Sequence, residues 1–290
     1  MTTSRETLLH AAHQAGLDAT DARLLRDGSN AMWLLPTAHA VARIGPEDTA
    51  ASATRQVHLA RWLATTGLPA VRPLDGPPQP TISDGRPVTW WVPLPDHRPA
   101  TPGELGTVLR ALHQLEPPED LPEFDPFAAM TDRITAAPHL DPDDRSWLLH
   151  RTHQLHDGYR ALPPTGTTGV LHGDAWQGNV AVPTSGGEPI LLDLEHLSTG
   201  PQEWDLIPLA VDHTDFARLT PADYHDFTHA YGTDATHLPH YRLLADIQEL
   251  RWTTYLLTKT HHDPSAQDEA AHRIQCLRGT HPHPWTWTAF

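Results

Sequence analysis

Asp174 and Asn179 stand five residues apart in a loop that apolar Val170 and Leu171 lead into, and the acids Asp193 and Glu195 follow the apolar run Ile190 to Leu192. An acid and an amide so spaced bring two hard oxygens to one point, and the buried strand delivers a further carboxylate beside them. Hard oxygens in small number suit Mg²⁺, which keeps several waters and takes substrate phosphates as remaining ligands. The chemistry that fits is phosphoryl transfer. Asp, Asn and Gly are also ordinary turn residues, and a plain hairpin loop would read similarly. His172, two residues before Asp174, and the acid fourteen residues after Asn179 make the combination specific.

The elements that must position these residues change character along the chain. Thr3 and Glu6 form a capping box ahead of a short amphipathic helix with Leu8, Leu9, Ala12 and Ala15, ending at Gly16. The runs Leu24 to Leu25, Ala31 to Leu35 and Ala40 to Ile44, separated by turn residues, read as antiparallel strands. A helix over Ala51 to Thr65 follows, then strands at Val71 to Leu74 and Val88 to Val92 around a Pro-rich loop, and Pro93 to Pro99 breaks regular structure. Trp90 and Trp91 must face opposite ways in their strand, one into the core and the other toward a cleft. Beyond this point the chain reads as helical. Thr101-Pro102, Asp141-Pro142 and Thr220-Pro221 each pair a capping residue with a proline at the first helical position. Pro117 to Pro138 reads as an acidic loop, the Asp141 helix as running to about Leu162 before Pro163-Pro164, and Tyr241 to Lys259 as a late helix. Trp285 and Trp287 read as a tail docked on this part of the chain.

H-G-D-x-x-x-x-N at His172 to Asn179, L-L-D-x-E at Leu191 to Glu195 and G-P-x-E-W-D-L at Gly200 to Leu206 resemble the aminoglycoside phosphotransferase and choline kinase family. The resemblance spans most of the chain. It implies an α+β, bilobal protein-kinase-like fold, with a nucleotide-binding lobe over 1–93 and a catalytic and acceptor-binding lobe over 94–290. It makes Asp174 the catalytic base, His172 the residue that holds its loop, Asn179 and Asp193 metal ligands, and Asp205 a structural acid. Glu195 is placed as a ligand of a second metal or as a loop anchor. Gly28, Ser29 and Asn30 match the phosphate-covering turn, and Arg43 stands where protein kinases carry the lysine of V-A-I-K. At the ion-pair position this chain has Gln56 where the family most often has Glu; its amide oxygen can still accept from Arg43. The backbone around Trp91, Val92 and Leu94 would meet the adenine. His113 resembles a packing histidine, and Asp246 and Glu249 are acceptor-site candidates that read more readily as a solvated or structurally paired helix face. Gly173 and the Leu194-Glu195 wording differ from the H-R-D and D-F-G of protein kinases. A small-molecule acceptor is implied.

Composition sets the outer limits. The 290 residues suffice for two lobes with cores, at 39% hydrophobic content. With 36 acids against 20 bases, a net charge of −16 repels nucleic acid and favours cationic ligands, though an acidic surface also serves solubility alone. No apolar run is long enough to span a membrane and no leader pattern opens the chain, so a cytoplasmic protein, a monomer or weak homodimer, is expected. The lone Cys276 reads as packing, and the 22 histidines, including the pair His261 and His262, lack ligand spacing. The expected activity is transfer of the γ-phosphate of ATP, or GTP, with Mg²⁺, to a hydroxyl of a cationic aminoglycoside, amino sugar or amino alcohol, in antibiotic resistance or metabolism. The alternative is a catalytically silent nucleotide-binding protein of the same fold.

Overall fold

Thr7, Leu8, Ala11 and Ala12, spaced three and four apart, form the buried face of α1 (Ser4–Ala15), while Leu9 is exposed. Gly16 ends the helix at a φ of 69°, a left-handed value glycine adopts without strain. A computed structural model of the chain describes residues 4–163, 167–261 and 263–290. The Thr3 cap, Pro164 and His262 lie outside them.

The three expected strands are β1 (Arg23–Asp27), β2 (Ala31–Leu35) and β3 (Ala40–Ile44), each antiparallel to the next. Ala31, Trp33 and Leu35 of β2 are buried in alternation, and every residue of β1, at the sheet edge, is exposed. α2 (Ala50–Thr66) follows and stops at Gly67, φ 86°. Then come β4 (Thr81–Ser83), β5 (Arg86–Trp91) and β6 (His97–Pro99). The sheet order is β1-β2-β3-β5-β4.

Four readings change here. Val71 to Leu74 is no strand: Val71 donates to Leu191 O and Leu74 to Trp90 O, yet only isolated bridges form at Ala70 and Pro73, because Pro73 has no N–H to extend a ladder. The short strand β4 lies where the Pro-rich loop was expected to end. Pro93 to Pro99 contains β6, an edge strand paired with β8, and Pro99 at its last position costs that edge little. Trp90 and Trp91 are both buried, since β5 is covered on both faces, and their indole N–H groups bond Thr81 and Thr89.

The helical part begins with α3 (Pro102–Leu112), closed by the full Thr101–Glu104 capping box. α4 (Met130–Ala136) lies inside the segment read as loop, held by buried Met130 and Ile134. α5 (Pro142–Arg160) is capped by Asp141 and stops short of Leu162. The central stretch supplies β7 (Thr168–Leu171), β8 (Val180–Pro183), β9 (Ile190–Leu191) and β10 (Ser198–Pro201). α6 (Ile207–Thr214), α7 (Pro221–Tyr231), α8 (Tyr241–Leu257) and α9 (Pro264–Leu277) complete the order.

Two compact units result. The first runs to Ala100 and takes in Gln177–Leu197, because β6, β8 and β9 form one sheet; its core includes Leu8, Leu35, Ile44, Val88 and Trp90. The second comprises Thr101–Trp176 and Ser198–Phe290. There α3 and α7 pack so closely at Gly106 that a Cβ would lie 2.6 Å from the carbonyl of Phe227. Trp285 and Trp287 are buried against the second unit, stacked with centroids 5.5 Å apart, and Cys276 is buried beside them.

Candidate active site

In the second unit β7 pairs with β10, Leu171 opposite Ser198, and the chain leaves β7 directly into His172-Gly173-Asp174. The turn is fixed from below by Asp205, which sits in the 3-10 turn Gln202–Leu206 and is fully buried. Its carboxylate accepts the backbone N–H groups of His172 at 2.6 Å and Gly173 at 2.8 Å, and meets His113 Nε2 at 3.0 Å. His113 Nδ1 in turn reaches the Tyr231 hydroxyl at 2.8 Å. Burial pushes the Asp205 carboxyl up, but the hydrogen bond and charge of His113 and the contribution of His172 outweigh it, and the group stays below its ordinary range. Gly173 has φ 80°, a conformation glycine takes freely. The buried His172 ring accepts the N–H of Asp174 at 3.3 Å through Nδ1, and Asp174 itself is half-buried.

The first unit holds Asn179 and Asp193. Val180 pairs with Leu191, and Leu192 N–H donates to Asn179 O at 2.9 Å, so Asn179 and Asp193 sit at neighbouring ends of paired strands. Asn179 is buried, at the end of the 3-10 turn Gln177–Asn179. Asp193 is exposed and lies in the left-handed region at φ 48°, ψ 63°, uncommon for a residue with a Cβ. Asn179 and Asp193 carry hard oxygens, the donor type that divalent cations such as Mg²⁺ take, and among the described residues no three His, Cys, Asp or Glu side chains gather as a metal cluster.

Arg43 on β3 donates to Gln56 Oε1 on α2, and its other nitrogen donates to Glu195 at 2.7 Å. The carboxylate partner that the sequence lacks at position 56 is thus supplied by Glu195, 152 positions further along. No sequence spacing could have revealed it. Gly28, Ser29 and Asn30 form the turn joining β1 to β2, with Asp27 opposite Ala31, and Gly28 and Ser29 are exposed. Trp91 pairs with Val41, and Val92 N–H is committed to Arg72 O at 2.9 Å, so of this segment Leu94 lies beyond those pairings.

Asp246 and Glu249 on α8 belong to an ion cluster. Arg242 reaches Asp246 at 2.8 Å, Asp215 at 2.7 Å and Glu249 at 2.5 Å, and Arg151 reaches Asp246 at 2.7 Å. Burial, and a hydrogen bond with Asp215, push the Glu249 carboxyl well above its ordinary range, against the pull of Arg242. Both acids are thus ion-paired within the helical unit.

A kinase-like α+β fold carrying these loops defines the class. The model of the phosphotransferase enzyme family matches residues 21–276, and the chain belongs to that family; it is a phosphotransferase. No curated protein matches its sequence significantly. Among solved structures it is similar to amicoumacin kinase hAmiN in complex with AMP-PNP, Ca²⁺ and Ami, at 15% identity, over 97% of this chain and 95% of that one, with a TM-score of 0.74. A choline/ethanolamine kinase family protein from Mesorhizobium loti aligns at 16% identity over 94% of each chain, TM-score 0.64. Aminoglycoside phosphotransferase APH(3'')-Id from Streptomyces rimosus aligns at 19% identity over 85% of this chain and 96% of that one, TM-score 0.60. Among the described residues no helix is long and apolar enough to cross a membrane.

Proposed function

We propose that this phosphotransferase moves the γ-phosphate of ATP, or GTP, to a hydroxyl of a small cationic acceptor such as an aminoglycoside, amino sugar or amino alcohol. The observation that supports this reading is the H-G-D loop, whose backbone is pinned by buried Asp205 at His172 and Gly173, immediately before Asp174. Asp174 accepts the hydrogen bond of the acceptor hydroxyl and aims its oxygen at the phosphorus. Asn179 and Asp193 would hold Mg²⁺, which supplies charge neutralisation on the phosphates when bound. Arg43, oriented by Gln56 and Glu195, contacts those phosphates, and the Gly28 to Asn30 turn offers backbone amides to them. The backbone up to Leu94 meets the base. Residues 1–93 act as the nucleotide lobe and 94–290 as the catalytic and acceptor lobe of a cytoplasmic monomer or weak homodimer. The net charge of −16 supports a cationic acceptor.

A coupled assay with Mg-ATP or Mg-GTP over cationic hydroxylated antibiotics and metabolites tests the reaction. Asp174→Asn is expected to lower turnover by about 10² to 10⁴ while nucleotide still binds. Near-wild-type turnover in that variant would remove the base role, and Mg-nucleotide affinity unchanged in Asp193→Ala would remove the metal role. Nucleotide that raises the melting temperature without turnover on any acceptor would mark a silent binding protein instead.

A further inference from the structure

A cationic acceptor approaching Asp174 meets a cation of the protein. Arg251, on α8, is half-buried, with its guanidinium 5.4 Å from the ring centroid of Phe124 and 5.4 Å from that of Trp204, rings that lie 4.9 Å apart. Its hydrogen bond is a long one, 3.4 Å to Pro126 O. Among the charges that act on it are the carboxylates of Asp174 and Asp125 and the guanidinium of Arg133. Burial, partly offset by Asp174, lowers it to about 10, so it remains charged at neutral pH. Further cations gather nearby: Arg133 of α4 lies 5.7 Å from the Tyr255 ring, one helical turn beyond Arg251, and Lys259 lies 5.3 Å from the same ring.

Trp204 adjoins Asp205, the residue that holds the His172-Gly173 turn leading into Asp174, and the rings of Trp204 and Phe124, which could attract an ammonium group, each already carry a guanidinium. A stacked guanidinium spends its face on the rings and keeps the N–H donors at its edge, which match an oxyanion in paired fashion. We propose that Arg251 receives an oxyanion of the acceptor, a carboxylate or a phosphate, while the acceptor hydroxyl sits at Asp174. The acceptor is then amphoteric: its amine is drawn by the overall field, and its acidic group is read next to the reacting hydroxyl. This inference rests on Asp174 as the base, and the two can fail separately.

The test uses a panel of amino-hydroxy acids, their primary amides and phosphate-bearing analogues, with Mg-ATP at constant ionic strength, in the full-length chain. Wild type is expected to favour a carboxylate or phosphate over the amide by roughly ten- to a hundredfold in kcat/KM. Arg251→Gln is expected to bring that ratio toward one, mostly through KM, and Arg251→Lys to restore part of it. Whether the carboxylate or the phosphate analogue gains more identifies the oxyanion. Calorimetric binding of the same panel with a non-hydrolysable ATP analogue gives a readout in wild type alone. If no acidic member binds or reacts better than its amide, or if Arg251→Gln keeps the wild-type ratio, the inference is overturned. Asp174→Asn should slow every member alike and leave the binding preference in place; full turnover in that variant overturns the base role only.

Discussion

Asp205 and Arg43 each anchor a chemistry-bearing segment, and they do so in opposite ways. Asp205 is fully buried and takes two backbone N–H groups and one histidine, so the loop it holds has one geometry. Arg43 is bound to a neutral amide on one side and, on the other, to Glu195, whose side chain is 39% exposed. A buried charge with its bonds satisfied is costly to disturb, whereas a solvent-exposed ion pair contributes little to stability. The loop that Asp205 holds is thus the more firmly fixed of the two, while Arg43, 17% exposed, leans on one neutral amide and one partly exposed acid.

Variants can break or sharpen this contrast. Asp205→Asn should be the most damaging, because the amide cannot accept both backbone bonds and pair with His113 as a carboxylate does; a loss of about 3 to 5 kcal/mol is expected in denaturant unfolding. A loss below about 1 kcal/mol would contradict that firmer hold. Gly173→Ala forces a side chain into φ 80° next to that anchor and should cost about 1 to 2 kcal/mol, with turnover falling further than stability alone explains. Glu195→Gln should change stability by less than about 1 kcal/mol yet weaken nucleotide binding. Adding Gln56→Glu to that variant should restore the affinity, since either acid can serve Arg43. Non-additivity in this double-mutant cycle is the measurement.

The smallest effect concerns pH. Asp205 titrates below its ordinary value of 3.8 in the folded protein, so the stability it contributes is present above that pH and is lost as pH falls through the folded value. The melting temperature of wild type should therefore fall more steeply below about pH 4 than that of a folded Asp205→Asn variant. Parallel acid limbs would contradict this.

Much of the frame is legible in the sequence alone. Capping boxes and prolines marked α3, α5 and α7 because caps act within one helical turn, and the first three strands were bounded by their own turn residues. α4 and β6 were not legible. Neither has a periodic apolar pattern long enough to register, and each exists because a partner, α8 or β8, covers it.

The sequence by itself pointed to the reaction class, since Asp174, Asn179 and Asp193 lie in short motifs that a few consecutive residues are enough to recognise. Only the tertiary structure decided who partners whom across long separations. It joined Arg43 to Glu195, Asp205 to His113 and the His172 loop, and Arg242 to both Asp246 and Glu249, and it set Arg251 on Phe124 and Trp204. The reason is physical: hydrogen bonds and ring contacts depend on ångström distances in space, and residues a hundred positions apart carry no spacing by which to read them.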